Sequence, residues 1–62
     1  MKFSELKKIL RNHGCYTSYE GSKHEVWYSP ITSKVFAVGR HNTKDVKKGT
    51  LFSILTDAGI KL

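Results

Sequence analysis

The chain has 62 residues, too few for more than one domain or a deep substrate cavity, so any site must lie on a sheet face or in a groove between elements. Apolar residues make up 39%, which places the chain above the disordered class. Eleven Lys and Arg against five Asp and Glu give a net charge of +6, and that field points to a polyanion: nucleic acid, an acidic protein or an anionic membrane surface.

The first predicted element is a helix over residues 4 to 13, with Ser4 as its N-cap and Glu5 placing a negative charge in the first turn. Leu6, Ile9 and Leu10 share one face, which His13 continues, and Lys7, Lys8 and Arg11 lie on the other side. Gly14 is placed to end it. Residues 15 to 20, rich in Tyr and Thr, read as a strand. Cys15, the single cysteine, forms no internal disulfide and reads as a small, half-buried strand residue. Gly21-Ser22 is a turn, residues 23 to 29 a second strand, and Ser29-Pro30-Ile31-Thr32-Ser33 a hairpin turn with Pro30 fixing φ. Residues 34 to 38 form a third strand that Gly39 ends. A basic loop from Arg40 to Lys48 follows. The last helix sets Leu51, Ile54, Leu55 and Ala58 at i, i+3, i+4 and i+7, with Gly59 as its cap.

The fold class is therefore α+β. An αβββα chain with short connections makes a three-stranded antiparallel meander, and the two amphipathic helices hide their apolar stripes on one sheet face. Strand alternation puts Trp27, Phe36 and Val38 under the helices and turns His24, Val26 and Tyr28 to the open face. No apolar run is long enough for a membrane span and no leader pattern is present, so a single domain over residues 1–62 in the cytoplasm is expected, with no membrane partner.

Candidate chemistry is sparse. His13, Cys15, His24 and His41 have no zinc-type spacing, so no metal is expected. Lys47-Lys48-Gly49-Thr50 is not a phosphate loop, because the upstream glycine is missing, yet a helix start there can bind a phosphate. Arg40, His41, Lys44, Lys47 and Lys48 fall together, with Lys23 and Lys34 on the sheet and Lys7, Lys8 and Arg11 on the first helix. Such a surface either contacts nucleic acid or is simply solvated, and the shortage of carboxylates favours contact. Tyr16, Tyr19 and Tyr28 either stack on bases or pack internally. His24, beside phosphate-binding lysines, suits RNA cleavage, where the 2′-hydroxyl is the nucleophile and an imidazole moves protons near neutral pH. By residue type alone, a lone strand histidine is more often a bystander.

Two blocks carry a resemblance. One is Arg40-His41-Asn42, Lys44-Asp45, Lys48-Gly49-Thr50-Leu51, Ser53-Ile54-Leu55 and Ala58-Gly59-Ile60; the other is Gly21-Ser22-Lys23-His24 with Trp27-Tyr28-Ser29-Pro30. The opening helix and Gly14 match more loosely. Over nearly its full length the chain resembles the HicA family of mRNA interferase toxins. The resemblance implies a double-stranded-RNA-binding-domain-like fold and cleavage of mRNA that stops translation. It also implies neutralisation by a cognate HicB-like antitoxin in a type II toxin–antitoxin system. It makes His24 the catalytic histidine, since the family's histidine follows a Gly-Ser turn. The expected chemistry is metal-independent and needs no cofactor. Lys23, Arg40, Lys47 and Lys48 are expected to hold phosphates, Ser22 to place the turn, and Tyr28 to contact RNA. Tyr28 and His41 are candidates for a second proton-transfer group. Lys23 intervenes where many members have histidine directly after Gly-Ser, and Gly39 stands where proline is common. A non-catalytic RNA-binding module of the same fold, and a domain whose basic face serves only an acidic protein, are the alternatives.

Overall fold

The computed structural model describes residues 1–61. In chain order it comprises helix α1 (Phe3–Asn12), strands β1 (Tyr16–Glu20), β2 (His24–Ser29) and β3 (Lys34–Gly39), and helix α2 (Lys48–Ala58). The strands pair antiparallel in the order β1-β2-β3, so the expected α+β, αβββα meander holds. Leu6 and Leu10 of α1 and Ile54 and Ala58 of α2 meet Trp27, Phe36 and Val38 in one core, so both helices cover the face those strand residues share. Burial of each large side chain there contributes on the order of 2 kcal/mol. Among the described residues, no helix is long and apolar enough to cross a membrane.

The start of α1 departs from expectation. Ser4 is not the N-cap: Lys2 holds that position, and Glu5 Oε1 accepts its backbone N–H at 2.8 Å. The next two N–H groups donate outside the helix, Phe3 to the Lys44 carbonyl at 3.0 Å and Ser4 to the Asn42 carbonyl at 3.1 Å. Tertiary carbonyls thus take the place of a local hydroxyl cap. The other end runs as expected: Gly14 and Cys15 N–H groups return to the Arg11 and Leu10 carbonyls, the paired pattern that closes a helix at an αL residue. His13, expected to extend the apolar face, is exposed, with Nδ1 2.9 Å from the Ile9 carbonyl. Cys15 precedes β1 and is buried rather than half-buried.

Lys7 is the larger correction. Expected on the solvent side, it is only 3% exposed. Its Nζ donates to Glu25 Oε2 at 3.2 Å and to Asn42 Oδ1 at 2.6 Å, while Trp27 Nε1 donates to Glu25 Oε1 at 2.9 Å. Arg11 stays exposed and lays its guanidinium over Trp27, with Cζ 5.4 Å from the ring centroid. Partial burial raises the Glu25 carboxyl, but the hydrogen bonds from Trp27 and Lys7 and the charges of Lys7 and Arg40 outweigh it and hold it below the usual carboxylate range.

The far end of α2 is anchored by hydroxyls of the β2–β3 hairpin. Ser29 Oγ donates to the Ala58 carbonyl at 2.6 Å, and Thr32 Oγ1 to the Asp57 carbonyl at 2.5 Å, which satisfies carbonyls the helix leaves free. Gly59 caps α2 at φ 77°, and a β-carbon there would stand 2.8 Å from methyl carbons of both Ile31 and Thr32. Positive φ and close approach together require glycine at that junction.

Candidate active site and nucleic-acid surface

His24 is the first residue of β2 and is paired with Gly39 across the ladder. The Gly21 N–H donates to the His24 carbonyl at 2.9 Å, which leaves Ser22 and Lys23 as the two loop residues between them. Lys23 therefore completes a two-residue turn, and His24 stands on the regular ladder behind it. Arg40, just past the end of β3, pins the same turn: its Nη1 donates to the Gly21 carbonyl at 2.7 Å and lies 3.4 Å from that of Ser22. Gly39 is the last residue of β3. A β-carbon there would stand 3.1 Å from Cζ of Phe3, so the missing side chain makes room for that ring.

His24 opens onto a cleft of about 380 Å³ that Lys44, Lys47 and Thr50 also line, with Phe3 and Gly39 behind them. Asp45 contributes one carboxylate, which lies 3.7 Å from Lys2 Nζ. Lys47 is the N-cap of α2 and makes no side-chain cap, and the first turn holds no acidic residue. Lys48, Gly49 and Thr50 are exposed there, so their N–H groups and the positive end of the helix dipole are available to an anion. The two helix starts thus differ: carbonyls and Glu5 fill that of α1, and α2 presents an uncapped, basic one.

The structure brings His24 and Lys47 into one cleft, with Ser22, Lys23 and Arg40 at the adjoining turn. Lys48 is exposed at the start of α2 and does not line that cleft. Tyr28 stands apart. It is four residues along β2 from His24, about 13 Å at strand rise, and packs on Tyr16 with ring centroids 5.5 Å apart. His41 is exposed in the loop and does not line the cleft. That Phe3 and Thr50 join His24 is not readable in the sequence, because nothing local marks residues from two helix starts as neighbours of a strand histidine. Among the described residues, no three His, Cys, Asp or Glu side chains are placed together to hold a metal ion.

The family model described as "HicA toxin of bacterial toxin-antitoxin" matches residues 3–60. No curated protein and no solved structure matches the chain. The match spans both helices and all three strands, including the turn before His24 and the basic start of α2. The chain belongs to the HicA toxin family of bacterial toxin–antitoxin systems and is the toxin of such a pair.

Proposed function

We propose that this toxin is an endoribonuclease that cuts mRNA and so stops translation, with His24 as its proton-transfer residue. The observation that supports this most is the cleft that joins His24 to Lys47 at the uncapped start of α2. A scissile phosphate seated there has cations and helix N–H groups against its oxygens. The ribose 2′-hydroxyl attacks that phosphate, the P–O5′ bond breaks, and the products are a 2′,3′-cyclic phosphate and a 5′-hydroxyl end. His24 takes the 2′ proton or gives one to the leaving 5′ oxygen, and water carries the other proton. Because RNA supplies its own nucleophile, the route is metal-independent and calls for no cofactor. Lys23 and Lys48 extend the phosphate contacts on either side, and Arg40 with Ser22 holds the turn that aims His24. Tyr28 contacts the RNA beyond the cut. The proposed place of action is the cytoplasm, and the proposed neutralising partner is a HicB-like antitoxin.

The test is His24→Ala on purified protein with a long RNA, counting new 5′-hydroxyl ends. Cleavage should fall by roughly 10²–10⁴-fold, with an unchanged thermal midpoint. Parental cleavage by His24→Ala would remove His24 from the mechanism. RNA binding by the parent without new ends would instead make the domain a non-catalytic RNA-binding module.

A further inference from the structure

We infer that the uncovered sheet face is a stacking platform for unpaired RNA bases, running from the His24 cleft across β2 and β1. This rests on the reading of the toxin as an RNA-cutting enzyme and assigns its substrate class: single-stranded RNA, held on one side of the cut by tyrosines.

The platform is made by an irregularity in β1. Tyr16 and Thr17 pair with Tyr28 and Trp27, but Tyr19 and Glu20 pair with Val26 and Glu25, so Ser18 is an extra residue. Without that bulge, alternation would send Tyr19 to the helix-covered side with Thr17. With it, Tyr16 and Tyr19 both join Tyr28 and Val26 on the open face. Tyr16 is 55% and Tyr19 66% exposed, and Val35, opposite Tyr28, is 60% exposed.

Three features favour RNA as the occupant. First, the face is continuous with the cleft, because two of its lining residues belong to that face: His24 shares a side of β2 with Val26 and Tyr28, and Ala37 pairs with Val26. Second, among the described residues no side-chain carboxylate points there. Glu20 and Glu25 pair on the other side, Glu5 lies in α1, Asp57 in α2, and Asp45 in the loop beside Lys2. A polyanion crossing the face meets no side-chain carboxylate before the cleft, where Asp45 stands beside Lys2, and the molecule around it carries +6. Third, tyrosine rings offer π-faces to any base while their hydroxyls stay in water, which suits sequence-tolerant stacking.

The probe is a short single-stranded 2′-O-methyl RNA, which has no free 2′-hydroxyl and cannot be cut, so binding is read independently of catalysis. Tyr16→Leu and Tyr28→Leu should each weaken binding about tenfold or more, Tyr16→Phe should bind like the parent, and annealing a complementary strand should weaken binding as well. Parental affinity in both leucine variants, or equal affinity for the duplex, overturns the platform. So does loss of antitoxin binding by those variants with RNA affinity intact, which would make the face a protein interface. His24→Ala that still cuts RNA while the leucine variants lose binding would defeat the catalytic assignment and leave the platform standing.

Discussion

The two faces of the sheet use the same kinds of side chain for opposite ends. On the covered face, Lys7, Glu25, Trp27 and Asn42 bind one another and α1 is held down by them. On the open face, His24, Tyr16, Tyr19 and Tyr28 make no such closed network, and the nearby Lys47 has no salt-bridge partner among the described residues. A buried charge must be paired or it costs several kcal/mol, so the covered face spends its polar groups on itself. The open face, in water, carries no such demand and keeps its groups for a ligand. Stability and function should therefore separate cleanly by face.

Substitutions can break that division. The largest effect is expected from Trp27→Ala. It removes about 3–5 kcal/mol from a chain whose whole stability is on the order of 3–9 kcal/mol. No cooperative melt should remain by circular dichroism; a sharp transition would show that the covered face is not the core it is taken for. Glu25→Ala comes next, at about 3 kcal/mol, because it leaves the Lys7 ammonium buried beside Asn42 alone. Urea denaturation measures it, and a loss under about 0.5 kcal/mol would mean that Lys7 swings out to water.

The same carboxylate gives a pH signature. Glu25 is held below its ordinary range in the fold, so its contribution is present above the unfolded carboxylate pKa of about 4.3 and is lost as pH falls through the lower folded value. Glu25→Gln should flatten the acid limb of stability against pH, and an unchanged limb would assign acid sensitivity elsewhere. Ser29→Ala, which orphans the Ala58 carbonyl, should cost about 1–3 kcal/mol in the same urea assay. Smallest in stability is Lys47→Ala, within about 0.5 kcal/mol, yet it should lower RNA cleavage roughly tenfold. A melt shifted as far as that of Ser29→Ala would contradict the separation of faces.

Local signals carried the fold well. The 3.6-residue pattern of Leu51, Ile54, Leu55 and Ala58, the capping Gly14 and Gly59, and the alternation around Trp27 and Phe36 each reflect a constraint within a few residues. Ser4 as N-cap failed because its competitors, the Asn42 and Lys44 carbonyls, lie some forty positions away in the chain. Lys7 departs from its expected exposure for the same reason: the helix pattern counts it as polar, and Glu25 and Asn42, from elsewhere in the chain, make its burial tolerable. Within the candidate site, His24 and the basic loop were legible from residue type and neighbours, while the meeting of His24 with Phe3, Lys47 and Thr50 was not.

By itself the sequence determined the order of elements, the covered face, the net positive field and the histidine at the head of the second strand. Each of these follows from short-range periodicity, turn chemistry or a sum over charges. Tertiary structure alone decided that Lys7 is structural, that α1 is capped by a distant loop while α2 is left open, and that Ser18 bulges to bring Tyr16 and Tyr19 to one side. Those outcomes depend on which carbonyl, carboxylate or strand arrives from elsewhere in the chain. A one-residue slip in a ladder reverses every side chain beyond it, and no local pattern records the slip.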